Sequence, residues 1–228
     1  MELIGEKAIK LALPEHLGKL VTEHITQSKI INTEEQVSDV LVYWGLDEMT
    51  RLNKLMRLKA NLPSPMRRDY SYPGVYKPFA HQASTAEFLS INDRAFCFNE
   101  AGTGKTSSAL WAADYLMKQG KIKKVLIICP LFNTCMHRSS VVCYGTAHKR
   151  KLIIQGDYDF TIINYDGVNI IKDEIKKENF DLIIVDECNA YKTHTTVRWK
   201  TLNKILNDNT KVWMMTGTPA CQSPVDAF

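Results

Sequence analysis

The chain has 228 residues, 29 Lys and Arg against 25 Asp and Glu, a formal net charge of +4, and 45% apolar and 24% charged residues. These values lie near the soluble globular average and exclude wholesale disorder and fibrous repeats, and the small positive charge permits an anionic partner without arguing for one. No apolar run approaches the roughly 18 residues that a membrane helix needs, so no membrane partner is expected.

The length allows one large domain, or one domain plus an appendage. The opening MELIGEKAIKLALPEHLGK mixes acids with bases and lacks the apolar core of a signal peptide. Residues 14–26 and about 34–60 show helical spacing, with Val37, Val40, Leu41 and Trp44 on one stripe. They predict a small helical element. The stretch NLPSPMRRDYSYPGVYKP comes next, an irregular connector by its prolines, Gly74 and polar residues. This divides the chain into a helical element and connector over 1–75 and a larger domain over 76–228.

In that domain apolar strands alternate with helices. Strands are predicted at RAFCF, at Lys124–Cys129, Val141–Tyr144, Phe160–Asn164, Leu182–Val185 and Val212–Met215, and helices at 105–119, 168–177 and 196–206. The alternation predicts an α/β fold, a parallel sheet with helices on both faces. The six cysteines are too sparse for a disulfide scaffold and several fall inside apolar runs, which suits a reducing cytoplasm.

Three motifs carry chemistry. Asn99-Glu100-Ala101-Gly102-Thr103-Gly104-Lys105-Thr106 joins a strand to a helix, the context that makes a phosphate-binding loop credible. Gly102 and Gly104 let backbone N–H groups of the loop, Thr103 included, turn onto phosphate oxygens at a helix N-terminus. Lys105 is expected to reach the β- and γ-phosphates of ATP, and the Thr106 hydroxyl to ligate Mg²⁺. Asn99 replaces the first glycine of the strict pattern. Next, FDLIIVDECNAYK ends an apolar strand in Asp186-Glu187, where open α/β sheets bind ligands. Asp186 is the expected Mg²⁺ contact and Glu187 the expected base for an attacking water. Third, KVWMMTGTP ends in Thr216-Gly217-Thr218, hydroxyls placed to sense the γ-phosphate or relay closure. Taken alone, that stretch is ordinary turn chemistry.

In their order these pieces resemble the first, RecA-like motor lobe of superfamily-two helicases, most closely the Swi/Snf-type DNA translocases. KPFAHQASTAEFL resembles the segment in which a glutamine reads adenine, which implies Gln82, with Tyr76 or Phe79 near the base. NEAGTGKT resembles motif I, VLIICPLF motif Ia, VDECNAYKT motif II and MTGTPACQSPVDAF motif III with its C-terminal flank. VVCYGT and DYDFTIINYDGV resemble the next two strands, which implies Asn164-Tyr165-Asp166 on the DNA-side loop. The likeness covers about residues 76–228, and its general style is that of phage-encoded members. Motif II reads DECN, so Asn189 stands where a histidine usually supplies coupling. The segment between CPLF and SSVVCYG is shorter than the family's helix.

The resemblance implies a DNA-dependent ATPase whose substrate is Mg·ATP and whose partner is DNA, double-stranded in the first instance. It also implies a second RecA-like lobe, in cis or in trans, that supplies arginines to the γ-phosphate. With the chain ending just past motif III, slow hydrolysis and no independent translocation are expected, in the cytoplasm of a bacterial or phage-infected cell. A nucleotide-gated binding or regulatory module with little turnover is the alternative; a P-loop kinase fits the motif order less well. Lys149 and Arg150, in His148-Lys149-Arg150-Lys151, are further candidates for DNA contact beside Asn164. Arg51, Lys54, Arg57 and Lys59 read as a solvated helix face. Cys129, Cys135, His137, Cys143 and His148 lack the paired spacing of a zinc site. Trp44, Trp111 and Trp213 read as core.

Overall fold

Strict alternation of buried and exposed residues, rather than helical spacing, organises the start of the chain. The structure is a computed structural model, and it describes residues 1–56, 62–75, 77–130, 138–191 and 193–218. Two compact units divide the chain, Met1–Asn92 and Asp93–Phe228. Among the described residues no helix is long and apolar enough to cross a membrane.

The first unit holds β1 (Glu2–Ile4), β2 (Ala8–Pro14), α1 (Glu15–His24), β3 (Ser28–Glu34) and β4 (Val37–Tyr43), the strands forming an antiparallel sheet in the order β1-β2-β4-β3. Ile9, Leu11 and Leu13 of β2 are buried together with Ser38, Val40 and Val42 of β4. Period two puts each trio on one face. Helix α1 lies closely on that sheet: a Cβ at Gly18 would stand 2.9 Å from the Ser38 Cβ. Helices α2 (Leu46–Met56), α3 (Met66–Asp69) and α4 (Ala80–Ser90) complete the unit. The buried Trp44 donates its indole N–H to the Pro63 carbonyl at 2.9 Å, and Arg67 grips the buried Glu87 with two hydrogen bonds of 3.1 and 3.0 Å.

The purely helical N-terminal element is therefore corrected. Helix 14–26 is present as α1, but the stretch predicted as one helix over 34–60 is strand β4 followed by α2. In VSDVLVY the β-branched residues serve a strand, and the helical stripe of Val37, Val40 and Leu41 is a coincidence of spacing. The predicted residues 57–60 of that helix lie outside the described ones.

The second unit is the α/β fold expected. Its elements are β5 (Arg94–Cys97), α5 (Lys105–Lys118), β6 (Val125–Ile128), β7 (Ser140–Val142), α6 (Ala147–Ile154), β8 (Phe160–Ile163), α7 (Tyr165–Ile170), α8 (Lys172–Glu178), β9 (Leu182–Val185), α9 (Val197–Ile205) and β10 (Lys211–Met215). Six strands pair in the order β5-β10-β9-β6-β8-β7, all parallel. Strands β6, β8 and β9 are buried at every position, as expected where helices cover both faces. On one face Leu126, Ile128, Ile163, Ile183 and Val185 pack with Ile154, Val168, Ile175 and Leu202 from the helices. The alternate residues, among them Ile162, Ile184 and the fully buried Trp213, face the other way, and there α5 packs against β10.

The predicted helix 168–177 is two helices, α7 and α8, separated at Ile171, whose φ of −124° leaves the helical range. Helix α6 falls where only a basic connection was read. Its Thr146 cap accepts from the Lys149 N–H at 3.3 Å.

Candidate nucleotide site

Register sets the site. Met215 of β10 pairs with Cys97 of β5, Met214 with Val185 of β9, and Ile128 of β6 with both Val185 and Ile163. The strands end in nearly one row, so the three motif-bearing loops leave the sheet side by side at its C-terminal edge. The ladder continues briefly past the strands: Thr216 N–H donates to the Cys97 carbonyl at 3.1 Å, and Asp186 N–H to that of Ile128 at 2.8 Å.

The Asn99–Thr106 loop turns through two left-handed glycines, Gly102 (φ 75°) and Gly104 (φ 80°). Gly104 caps α5, so Lys105 is the first helical residue. Lys105 is only 7% exposed, and its ammonium donates to the carbonyls of Asn99 and Glu100 at 3.0 Å each. The first motif position thus acts through its carbonyl, which asparagine supplies as well as glycine. Thr103 closes the loop with a 2.7 Å hydrogen bond to the Glu100 carbonyl.

Eighty residues further on, the Asp186 carboxylate meets this loop. Thr106 Oγ1 donates to Asp186 Oδ2 at 2.8 Å. The other oxygen, Oδ1, accepts from the Glu187 N–H at 3.1 Å. Glu187 has a φ of +50°, uncommon for a residue with a side chain, and its Oε2 accepts from Thr216 Oγ1 at 3.2 Å. Thr216 Oγ1 also accepts from the Thr218 N–H at 3.1 Å. Asn189, in the short 3-10 turn Cys188–Tyr191, donates to Thr218 Oγ1 at 2.8 Å. The asparagine in place of the usual histidine therefore still ties the second motif to the third.

Gly217 rests against the Asn99–Thr106 loop. A Cβ there would stand 2.9 Å from the Ala101 nitrogen and 3.2 Å from its Cα. All three motifs are thus in mutual contact, and Lys105, Thr106, Asp186, Glu187 and Thr216 form one constellation.

A hydroxyl beside a carboxylate is a hard oxygen pair, the donor type that Mg²⁺ prefers, and Mg²⁺ sites commonly use one or two carboxylates plus substrate phosphates. Among the described residues no group of three or more His, Cys, Asp and Glu side chains converges on a point. Cys97 and Cys188 border the site and are buried. Burial pushes both thiols up, that of Cys188 to about 11.

The remaining predicted residues have the following local settings. Gln82 sits in the first turn of α4, in the first unit, where its side-chain carbonyl accepts from the Phe79 N–H at 3.0 Å. Phe79 is exposed and stacks on His81. Tyr76 lies outside the described residues, as do Leu131 and Phe132 of the Ia stretch, Cys135, His137 and everything after Thr218. Asn164 caps α7, accepting from the Gly167 N–H at 3.2 Å. Lys149 is exposed on α6. Arg150 is the correction among the proposed DNA contacts: it is 5% exposed and faces inward. Its guanidinium donates to the carbonyls of Cys143 (2.6 Å) and Gly145 (2.9 Å) and to Asn164 Oδ1 (3.3 Å). Of the four consecutive basic residues His148, Lys149 and Lys151 are exposed, and the third of the tract, Arg150, turns into the protein.

Sequence reasoning placed Tyr165 on a DNA-side loop and missed where its hydroxyl points. It lies 2.5 Å from the Asp186 carbonyl oxygen and 3.0 Å from that of Glu187. A tyrosine directly after a helix-capping asparagine gave no signal of this.

Comparison with known proteins fits this geometry. A family model described as SNF2-related domain matches residues 81–228. No curated relative matches the chain. Among solved structures, the Sulfolobus solfataricus SWI2/SNF2 ATPase core in complex with dsDNA is similar, with 20% identity and a TM-score of 0.55 over 68% of this chain and 36% of that one. The Sulfolobus solfataricus SWI2/SNF2 ATPase core domain gives 18% identity and a TM-score of 0.51 over 64% and 32%. The chain thus spans about a third of the length of these solved relatives.

Proposed function

The chain belongs to the SNF2-related family, and on that premise we propose that it is the ATP-binding lobe of a DNA-dependent ATPase of the helicase-like translocase type. One observation carries the reading: the Thr106 hydroxyl and the Asp186 carboxylate, 80 residues apart in sequence, meet at 2.8 Å beside a left-handed glycine loop and a buried lysine. Structural packing alone does not require a hydroxyl–carboxylate pair at the exposed tip of a parallel strand.

In this reading Gly102, Thr103 and Gly104 present backbone N–H groups to the phosphates, and Lys105 exchanges its two carbonyl partners for β- and γ-phosphate oxygens. Thr106 and Asp186 would hold Mg²⁺, which when bound neutralises charge on the phosphates. Glu187 orients the attacking water and takes its proton, with Thr216 holding one oxygen of its carboxylate. Asn189, Thr218 and the Gly217–Ala101 approach link the base to the loop, so that occupancy of one is felt by the others. Gln82 reads the adenine.

Residues 76–228 make up the lobe and residues 1–75 a preceding element. DNA, double-stranded in the first instance, is the polymer partner; exposed Lys149 and the α7 end near Asn164 are the contacts proposed. A second RecA-like lobe, in cis or in trans, completes the γ-phosphate site, since an arginine from such a partner contributes about 10³–10⁵ in rate. The setting is the cytoplasm of a bacterial or phage-infected cell. A regulatory nucleotide binder is the second reading, favoured by the departure from the usual motif at Cys188-Asn189.

Phosphate release with and without duplex DNA tests the proposal, beside Lys105→Ala and Glu187→Gln. Lys105→Ala should lose tight Mg·ATP binding, and Glu187→Gln should keep binding and lose turnover. Lys105→Ala that binds Mg·ATP like the parent refutes the phosphate-loop assignment. Binding without turnover in the parent, with and without DNA, favours the regulatory reading.

A further inference from the structure

Tyr165 touches the motif II backbone from outside the motif. Carbonyl oxygens only accept, so the hydroxyl donates to both the Asp186 and Glu187 carbonyls from a single proton. Two consecutive carbonyls converge on one donor only where the chain turns sharply between them. Glu187 makes that turn, at φ +50°. This left-handed conformation is unfavourable for a residue with a Cβ and persists where surrounding contacts impose it.

The ring that carries the hydroxyl is itself fixed. It packs edge-on to Tyr191 at 5.6 Å, and the Arg198 guanidinium lies 5.4 Å over its face. Arg198 in turn pairs with Asp166 at 3.0 Å.

We propose that Tyr165 is a positioning residue whose hydroxyl holds the Asp186–Glu187 peptide in its turned conformation and thereby sets where the Glu187 carboxylate stands. The inference rests on the reading of Glu187 as the base that activates water. Tyr165 does not touch the nucleotide; it acts through Glu187.

The test is Tyr165→Phe, which keeps the ring packing on Tyr191 and Arg198 and removes only the oxygen. Mg·ATP turnover, nucleotide affinity and melting temperature are measured beside the parent and Glu187→Gln. The expected result is a kcat lowered about tenfold with KM and nucleotide Kd within about twofold of the parent. An unchanged kcat, or a loss confined to KM, overturns the proposal. Turnover that survives Glu187→Gln removes the base reading whatever Tyr165→Phe does. A readout independent of turnover is alkylation of Cys188 by iodoacetamide, mapped by mass spectrometry, because this buried thiol follows Glu187 directly. If the hydroxyl holds the peptide, Cys188 reacts several-fold faster in Tyr165→Phe and at the parent rate in Glu187→Gln. Equal rates in all three overturn the proposal even where the parent hydrolyses nothing.

Discussion

Replacing Gly217 by alanine adds one methyl group where none fits. The new Cβ would stand 2.9 Å from the Ala101 nitrogen, 3.2 Å from its Cα and 3.3 Å from its Cβ, while ordinary van der Waals contact begins at 3.4 Å. The Thr216–Thr218 turn and the Asn99–Thr106 loop must therefore part by about half an ångström, and the nearest obstacle is backbone, which has no rotamer to change. Overpacking of this kind costs about 1–3 kcal/mol. At roughly 2–4 °C per kcal/mol for a chain of this size, the melting temperature should fall by about 2–12 °C. The same displacement carries Thr216 away from Glu187, so turnover should fall as well. Gly102 is the control. A Cβ there meets nothing within 4 Å, but φ is +75°, so alanine costs only the left-handed strain, about 1–2 kcal/mol. Asparagine tolerates that conformation and should recover part of the loss at 102, whereas at 217 it should be worse than alanine. Thermal unfolding of the four variants measures this. A Gly217→Ala protein that melts with the parent and binds Mg·ATP equally well would refute the close approach on which the reasoning stands.

Thr106→Val should weaken Mg²⁺-dependent nucleotide binding about tenfold while Thr106→Ser retains it, measured by titration with a fluorescent nucleotide, since the serine keeps the hydroxyl that donates to Asp186. Arg150→Ala should lower stability by about 1.5–3 kcal/mol, the loss of charged hydrogen bonds to the buried Cys143 carbonyl and to that of Gly145, with DNA affinity of the folded protein unchanged. Lys149→Ala should do the reverse, leaving the melting temperature alone and reducing the salt dependence of DNA binding by about one phosphate contact. The Cys188 thiol is held at about 11 in the folded chain against an ordinary 9.0. Between those values the folded state retains a proton that the unfolded state releases, so its contribution is present below about pH 9 and is lost as pH rises through 11. Denaturant melts from pH 8 to 11 should therefore show a shallower decline for Cys188→Ala than for the parent.

The α/β unit was legible because its signals are local and redundant. Strands β6 and β9 are short, wholly apolar runs, β8 departs from that only at the buried Thr161, and each motif sits at the end of one strand. Pairing Thr106 with Asp186 was legible too, because parallel strands bring the loops at their C-terminal ends together whatever the separation in sequence. The N-terminal sheet was not. Its β3 strand is exposed along nearly all its length and carries no apolar rhythm. The hairpin that joins it to β4 turns on Glu35 and Gln36, with φ of +46° and +66°, where the usual asparagine and glycine would have announced a turn. Helix α6 was hidden for a similar reason, since AHKRKLII gives little amphipathic contrast and only Thr146 marks its start. The inward turn of Arg150 and the reach of the Tyr165 hydroxyl were not legible because each depends on carbonyls supplied by other stretches of the chain.

The row in which the parallel strands end has a consequence at the other end of the sheet. The connections there, around Gly120 and around Asp208, are exposed turns that a strand of four or five residues separates from the loops at the opposite edge. At about 3.3 Å per residue that is some 13–16 Å of rigid backbone. Asn207 already closes its own turn, accepting from the Asn209 and Thr210 N–H groups, so the bend does not depend on the side chain of Asp208. A dye or short affinity tag placed at Asp208 would thus ride on the same sheet as the motif loops without reaching them, giving single-molecule work an attachment point on the far side of the unit.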